Sequence, residues 1–349
     1  MKNRGLTRMA AGMSSLALAG LLAGFAVSPA SSAISTSDTK AKTQELKVTI
    51  KEWPVPTKGG HPHDPAVGAD GALWFTEQMA NKMGRLDPKT GDIKEYPLKV
   101  TNSGPHGLVS DREGNIWFTA NFAGYIGKLD PKTGEVTEYK MPVEKADDPH
   151  SLIFDGNGTL WFTLQGANRV GRLDPTTGKV ELKDVPTENA LPYGIQMSSK
   201  GVPFFCELGT HKIGRIDAKT MAIHDYDLPD EVRPRHLAID ARDRVYFSDF
   251  KSGHLRRLDP KSGEVKLWDS PGGAESNPYG ITITPDGMVW YSESGVKPNT
   301  VVRFDPKSET FAKADIPSGG GVVRNMAATK DGRVYIACSG ADKVGVVQP

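Results

Sequence analysis

Seven side chains able to take part in chemistry occupy one position of a repeated sequence. The position follows a proline in six copies and Val323 in the seventh, and each of its residues can donate a hydrogen bond. His63, His106 and His150 are the candidates for catalysis, because histidine titrates near neutral pH. The candidates for substrate binding are Tyr193, Arg235, Tyr279 and Arg324. The alternative is a polar, water-filled channel lining that binds no ligand.

A second position, fourteen residues further along each copy, holds a carboxylate in four of the seven copies. These carboxylates are Glu77, Glu207, Asp249 and Glu293, and another acid, Asp148, lies two residues before His150. Carboxylate oxygens bind divalent cations, so Glu77, Asp148 and Glu207 are the candidate metal ligands. The same acids could instead cap the rim of the fold in water, and the sequence does not separate these two roles.

The repeat that carries these positions has a period of 42 to 45 residues. Its anchor residues are Pro62, Pro105, Pro149, Pro192, Pro234, Pro278 and Val323. A period of roughly 40 to 45 residues, with four strand-like runs in each unit, is the signature of a β-propeller blade. The sequence therefore predicts an all-β fold, a seven-bladed β-propeller of four-stranded antiparallel blades. Residues at one repeat position should then meet around one central axis.

The two ends of the chain are expected to close this ring together. The last copy stops after its third strand-like run, and residues 46–53 form a spare run whose alternation of apolar and polar residues suits an outer strand. We therefore expect the N-terminal strand to complete the last blade, which leaves no unpaired sheet edge between the first and last blades. The recurrent aromatic pairs, such as Trp74 and Phe75, are expected to pack between blades.

Residues 1–33 have the pattern of a secretory signal peptide: Lys2, Arg4 and Arg8 precede a short apolar run and a small-residue cleavage site. Residues 34–45 are polar and predict a flexible tether, and residues 46–349 form the propeller. The expected location is therefore periplasmic or secreted, with no membrane span. Removal of three basic residues changes the net charge from +1 to about −2, which does not favour nucleic-acid binding. Cys206 and Cys338 lie in different blades and are expected to be buried, unpaired thiols.

The repeat unit resembles the streptogramin B lyase (virginiamycin B lyase) family. The resemblance is carried by Pro105-His106-Gly107, by Leu73-Trp74-Phe75-Thr76-Glu77 and by Met83-Gly84-Arg85-Leu86-Asp87-Pro88, and it covers residues 46–349. It implies a seven-bladed propeller that opens the ester of a cyclic depsipeptide antibiotic by elimination. It also implies Mg²⁺ as cofactor, a histidine base and an acid that protonates the leaving oxygen.

The resemblance implies a site made of an anchor histidine, an acid two residues before it, a glutamate fourteen residues after it and a second anchor histidine one blade earlier. In this family the site lies near the end of the chain, where this sequence has Tyr279 and Arg324 at the anchor positions. Two partial copies occur elsewhere. The first contains His106, Asp148 and His150 but has Leu164 in place of the glutamate, and the second contains His63 and Glu77 but is preceded by Arg324.

Three functions remain open from the sequence. The first is a secreted, metal-assisted lyase acting on a cyclic depsipeptide. The second is a non-catalytic propeller that binds a small molecule or cyclic peptide, with Arg235 and Arg324 as partners for a carboxylate. The third is a calcium-dependent, lactonase-like hydrolase that uses the carboxylates. In each case we expect a monomer, and whether the protein is an enzyme is left open.

Overall fold

The computed structural model describes residues 43–143, 146, 148–229 and 232–349. The described chain forms seven antiparallel sheets of four strands, and one of these sheets carries an additional strand. The inner strands of successive blades are in contact, including those of blades 7 and 1. This confirms the predicted closed, seven-bladed propeller. The predicted signal peptide and most of the tether lie outside the described residues, within which no helix is long and apolar enough to cross a membrane.

The strands of each blade are given from the axis outward. Blade 1 consists of Pro62–Val67, Leu73–Glu77, Lys82–Leu86 and Ile93–Pro97. Blade 2 consists of Pro105–Ser110, Ile116–Ala120, Tyr125–Leu129 and Val136–Lys140. Blade 3 consists of Pro149–Phe154, Leu160–Leu164, Arg169–Leu173 and Val180–Asp184. Blade 4 consists of Pro192–Met197, Pro203–Glu207, Lys212–Ile216 and Ile223–Asp227.

The remaining blades follow the same order. Blade 5 consists of Pro234–Ile239, Val245–Asp249, His254–Leu258 and Val265–Asp269. Blade 6 consists of Pro278–Ile283, Val289–Glu293, Thr300–Asp305 and Thr310–Asp315. Blade 7 consists of Val323–Ala328, Val334–Cys338, Lys343–Gln348 and, from the N-terminal part of the chain, Thr49–Pro54. Two short 3₁₀ helices, Ala274–Ser276 and Ser339–Ala341, lie in loops.

The N-terminal segment closes the ring as expected. Thr49–Pro54 pairs antiparallel with Lys343–Gln348 and supplies the outer strand of blade 7. Immediately before it, Thr43–Glu45 pairs in parallel with the outer strand of blade 6. The last three residues of the segment assigned to a tether thus form a short strand. The N-terminal segment contacts two adjacent blades, so it holds blades 6 and 7 together from outside.

The two rings of the recurrent aromatic pair pack against the two neighbouring blades, one ring on each side. Trp74 lies in a buried cluster with Phe118 of blade 2, whereas Phe75 lies in a buried cluster with Tyr335 of blade 7. A Cβ atom added to Gly84 on the neighbouring strand would overlap the Phe75 ring, so only glycine fits there. The Trp-Phe and Gly-Arg-Leu parts of the repeat are therefore explained by packing.

Side-chain hydroxyls connect the inner strand of one blade to the inner strand of the next. In blade 2, Thr119 Oγ1 donates to the carbonyl of His150 at 2.7 Å and accepts from the backbone N–H of Gly107 at 2.9 Å. A β-bulge in the inner strand frees that N–H from the sheet ladder. We call such a group a bridging hydroxyl. The equivalent donors are Thr76, Thr163, Ser248 and Ser292, at 2.6 to 2.7 Å from a carbonyl of the next blade.

Blades 4 and 7 depart from this arrangement. Cys206 occupies the position of the bridging hydroxyl in blade 4, where it is fully buried and unpaired, as is Cys338 in blade 7. This confirms the expectation of two buried free thiols. In blade 7 the position holds Ala337, and Ser339 Oγ instead donates to the carbonyl of Pro62 at 2.7 Å. Six of the seven junctions are thus bridged by a hydroxyl group in the part of the chain that the structure describes.

Replacing Thr119 by valine tests the importance of the bridging hydroxyl. Thr119→Val keeps the shape of the side chain but leaves the buried Gly107 N–H and His150 carbonyl without this partner, so the free energy of unfolding should fall by about 1–3 kcal/mol. Urea denaturation measures this change. Thr119→Ser is the matched control because it keeps the hydroxyl and removes only a methyl group, and it should cost less. If the valine variant were as stable as the wild type, the bridge would not contribute to stability.

Candidate functional site

Four of the anchor-following side chains form a continuous row of rings at the axis, with neighbouring ring planes inclined by 45 to 47°, and we call this row the histidine stack. The ring centroids of His63 and His106, of His106 and His150, and of His150 and Tyr193 are each 3.9 Å apart. All four rings are buried, with 3 to 5% of their surface exposed. The structure therefore brings the three predicted catalytic histidines together, in the consecutive blades 1 to 3.

The bridging hydroxyls position this stack. They bind the backbone carbonyls of His106, His150 and Tyr193, so the peptide groups carrying these rings are fixed to the preceding blade. Close approach of the inner strands is equally important. A Cβ atom on Gly107 would lie 2.6 Å from the carbonyl oxygen of His150, which is too close for any other residue. The glycine after the anchor histidine thus lets two neighbouring rings stack at van der Waals distance.

The other three predicted binding residues form a second group beside the stack. The hydroxyl oxygens of Tyr193 and Tyr279 are 2.6 Å apart, and Arg324 Nη1 donates to the Tyr279 hydroxyl at 3.4 Å. The guanidinium carbon of Arg235 lies 3.9 Å from the ring centroid of Phe250 and 4.4 Å from that of Tyr279. Both arginines therefore contact Tyr279, and neither forms an ion pair with a carboxylate of the described residues. We call Tyr193, Arg235, Tyr279 and Arg324 the arginine–tyrosine group.

A further set of axial residues was missed by the sequence analysis. These side chains stand two positions after the anchors: Asp64, Ser151, His236 and Asn325. The bulge in each inner strand breaks the alternation of faces, so both of the residues after an anchor can reach the axis. Asp64 Oδ1 lies 2.8 Å from His63 Nδ1, and Asp64 Oδ2 accepts from Asn325 Nδ2 at 2.9 Å. The sequence signal was available, since glycine occupies this position in the other three blades.

These four side chains line a cavity of about 360 Å³ at the axis. Its wall continues along the inner strands past Leu108, Leu152 and Met326. The cavity is thus polar at the positions that follow the anchor-following residues and apolar further along the inner strands. It is large enough for several water molecules or a small organic molecule.

The axial histidines are neutral at pH 7. Burial is the main reason that the pKa of His106 and that of His236 fall to about 3, and it holds the pKa values of His63 and His150 well below the usual 6.5. The positive charge of Arg324 lowers the pKa of His63 further. Within the described part of the chain, the permanent positive charges at the axis are therefore those of the two arginines, and the carboxylate there is that of Asp64.

The three predicted metal ligands lie in three separate blades. Glu77 and Glu207 end second strands and are fully buried, and each is accompanied by a lysine and an acid of the outer strands of its own blade. Burial and the neighbouring Glu95 raise the pKa of Glu77 to about 8, and burial raises that of Glu207 to about 7. Glu207 also accepts a hydrogen bond from the Thr210 hydroxyl at 2.6 Å.

The remaining acids are also engaged locally. Asp148 accepts hydrogen bonds from the backbone N–H groups of Gly166 and Ala167, so it fixes the loop after the second strand of blade 3. Asp249 is paired with Arg256 Nε at 2.8 Å, and Glu293 accepts from the hydroxyls of Ser270 and Thr300, each at 2.6 Å. The acids at the ends of the second strands thus make contacts near their own blades.

Among the described residues, one group of three side chains could ligate a metal ion, and it contains none of the three predicted metal ligands. Ligand atoms of His63, Asp64 and His106 all lie within 4.8 Å of one another. Mg²⁺ and Ca²⁺ prefer shells of oxygen ligands, whereas this group offers two nitrogens and one carboxylate. At the partial copy of the family site, the side chain that would be the glutamate is Leu164, which has no ligand atom. These residues do not fit Mg²⁺ or Ca²⁺.

Glu77 provides a test of the electrostatics at the second-strand ends. Its pKa is about 8 in the folded protein against an ordinary value of 4.5. Between pH 4.5 and pH 8 the folded state therefore binds the proton of Glu77 more tightly than the unfolded state does. The contribution of Glu77 to stability therefore decreases as pH rises from about 4.5 to 8. In Glu77→Gln this dependence is absent, so the variant should gain stability relative to the wild type between pH 5 and pH 8.

Urea midpoints of both proteins at the two pH values measure this difference. The control is Glu113→Gln, which changes an exposed glutamate of a blade 2 turn and should show no comparable gain. An equal difference between Glu77→Gln and wild type at both pH values would contradict the raised pKa.

Comparisons with known proteins agree with the fold and the repeat. A streptogramin B lyase structure is 27% identical with a TM-score of 0.79, covering 86% of this chain and 97% of that chain. The virginiamycin B lyase of Staphylococcus aureus is 24% identical with a TM-score of 0.78, covering 87% and 100%. A catalytically inactive variant of that enzyme with quinupristin gives the same values. At 24% identity the likeness shows the fold alone.

A more distant likeness is to the hydrazine synthase of Kuenenia stuttgartiensis, at 15% identity and a TM-score of 0.69, covering 84% of this chain and 97% of that chain. It again shows only the fold. No curated relative matches the sequence. The family model described as the virginiamycin B lyase family matches residues 35–294 and 204–349, which together span the whole propeller. The chain therefore belongs to the virginiamycin B lyase family.

Proposed function

We propose that the protein is a secreted, monomeric propeller that binds a small molecule or cyclic peptide through an anionic group at its axis. The observation that carries this proposal is the arginine–tyrosine group. Arg235 and Arg324 converge on Tyr279, and neither has a carboxylate partner among the described residues. Two guanidinium groups that contact one tyrosine, neither of them in an ion pair with a carboxylate of the described residues, favour an anion.

The geometry of the two arginines suits recognition of a carboxylate or phosphate. A guanidinium group binds these planar or tetrahedral anions through paired N–H donors. Arg235 is held against the Phe250 and Tyr279 rings, so less side-chain freedom is lost when a ligand binds. The Nε atoms of Arg235 and Arg324 are buried and make no hydrogen bond within the described chain. An anionic ligand would supply the missing acceptors.

The surroundings add selectivity for hydroxylated or amide-containing ligands. The linked hydroxyls of Tyr193 and Tyr279 can donate and accept hydrogen bonds, and the neutral histidines can do the same. The related structures include a complex with quinupristin, so a cyclic depsipeptide is one candidate ligand. Secretion is supported by the signal-peptide pattern of residues 1–33.

Binding of an anion should depend on both arginines. Arg235→Gln and Arg324→Gln each remove one charge-assisted hydrogen-bonding group, so the affinity for a carboxylate ligand should fall about tenfold or more. A ligand is first selected from a panel of carboxylates, phosphates and depsipeptides by thermal shift, and its affinity is then measured by calorimetry. The control is Arg215→Gln, an exposed arginine on the third strand of blade 4. Equal affinities of all four proteins would place the anion elsewhere, and a panel without any binder would overturn the proposal.

A second candidate function is elimination that opens the ester of a cyclic depsipeptide. It is favoured by one observation: His106 and His150 stack at 3.9 Å on adjacent blades, with Asp148 two residues before His150. In such a reaction one neutral histidine would remove the α-proton and the other would carry the proton to the leaving oxygen. Mg²⁺ has no suitable ligand set here, because Leu164 replaces the glutamate, and a pKa of about 3 makes His106 a weak base.

Turnover of a streptogramin B antibiotic separates the two functions. If the protein is a binding protein, chromatography should show unchanged antibiotic after incubation with and without Mg²⁺. Formation of a linear product by the wild type, together with loss of that product in His150→Ala, would establish the lyase instead. Ser199→Ala, which changes an exposed residue in a blade 4 turn, is the control for the histidine variant.

A further inference from the structure

We infer that His63, Asp64 and His106 form a binding site for one divalent transition-metal ion, with Zn²⁺ as the representative ion, at the propeller axis. This inference is independent of the proposed anion site. The ligand atoms of the three residues lie within 4.8 Å of one another, and each side chain is at most 4% exposed. Two imidazoles and one carboxylate from two adjacent inner strands thus meet at one place.

The atoms of this cluster are arranged as a ligand set. His63 Nδ1 and Asp64 Oδ1 are 2.8 Å apart in their hydrogen bond. Bonds of about 2.0–2.1 Å to a tetrahedral ion set a separation of about 3.3 Å, so the two atoms would move apart by roughly 0.5 Å on metal binding. His106 Nδ1 is buried and has no hydrogen-bond partner among the described residues. A metal ion would satisfy this nitrogen and would replace the proton shared between His63 and Asp64.

A second residue holds the carboxylate in position. Asn325 Nδ2 donates to Asp64 Oδ2 at 2.9 Å, so Asp64 Oδ1 remains directed to His63. Hydrogen bonds of this kind orient the ligands in metal sites, and their loss typically weakens metal binding about 10- to 100-fold. Asn325 therefore acts as a positioning residue for Asp64. The two residues are far apart in the sequence but lie in the adjacent blades 7 and 1.

The chemistry of the donors selects the class of ion. Imidazole nitrogens suit Zn²⁺, Ni²⁺, Cu²⁺ and Fe²⁺, whereas Mg²⁺ and Ca²⁺ prefer oxygen. Metal binding requires neutral histidines with a free ring nitrogen, and His106 Nδ1 has no hydrogen-bond partner among the described residues. Three protein ligands leave a fourth position for water or for an atom of a bound molecule, as in catalytic zinc sites.

The cavity gives the ion a path and the local charge limits its affinity. Asp64 lines the cavity of about 360 Å³, together with Ser151, His236 and Asn325, so the carboxylate is reached from that side. Arg324 opposes a dication, because its positive charge acts on His63. Asp64 offsets one positive charge, so we expect moderate affinity that increases when an anion occupies the fourth position.

Titration of the chelator-treated wild-type protein tests the inference. Calorimetry with Zn²⁺ should give one equivalent per chain, and Mg²⁺ at the same concentration should give no signal. Co²⁺ provides a spectroscopic test that needs no variant: a four-coordinate site with nitrogen ligands absorbs strongly in the visible range, and Co²⁺ on surface carboxylates does not. A weak, six-coordinate Co²⁺ spectrum, or binding of Mg²⁺ as tight as that of Zn²⁺, would overturn the inference.

Variants locate the ion within the chain. His106→Gln should abolish the Co²⁺ spectrum, and Asn325→Ala should weaken Zn²⁺ binding about 10- to 100-fold. His224→Gln, an exposed histidine on the outer strand of blade 4, is the matched control and should bind as the wild type does. Arg235→Gln should retain the metal while it loses the anion, so failure of one proposal is distinguishable from failure of the other. Unchanged binding in His106→Gln would disprove the site.

Discussion

The bridging hydroxyl is the interaction on which the rest of the structure depends. A bulge at the start of each inner strand frees one backbone N–H group. In five of the described blades a buried threonine or serine accepts from that group while donating to a carbonyl of the next blade. This hydroxyl satisfies two backbone groups that water cannot reach, and an unsatisfied buried group is costly. At the six junctions of the described chain that have it, the hydroxyl also fixes the distance between neighbouring blades and so supports the packing of the aromatic pairs between them.

The same constraint explains why the axis can hold a specific site inside a nearly symmetric scaffold. The bridge binds backbone atoms, so it places no demand on the side chain of the residue whose carbonyl it holds, and that residue is a histidine in two blades and a tyrosine in two others. The next position is restricted more strongly, because glycine is needed wherever the following inner strand approaches closely, as at Gly107, Gly194 and Gly280. At this second position after the anchor, side chains that can bind a ligand are therefore confined to the other four blades.

The repeat predicted the fold, the closing N-terminal strand and the convergence of the first axial position, because each follows from period and alternation alone. It did not predict Asp64 or Asn325, since regular alternation would turn the second residue away from the axis and only the bulge brings it back. The sequence also left open where the second-strand acids lie. Glu77 and Glu207 share a repeat position, but this position is further from the axis than the anchor, so equivalent residues of different blades lie apart. Each of the two glutamates is surrounded by groups of its own blade.

The electrostatics of the axis follow from how the histidines are buried. Four neutral imidazoles contribute no charge, so the field is set by the positive charges of Arg235 and Arg324 and by the negative charge of Asp64. Asp64 lies in blade 1, next to blade 7, which carries Arg324. In water these charges would be screened, but at a buried axis they act over the width of the channel. The two arginines therefore favour an anion and Asp64 favours a cation, and a ligand that carries both charges would gain from both. Charges of opposite sign at one axis require unequal blades, so the positions at which the repeats differ determine what the propeller can bind.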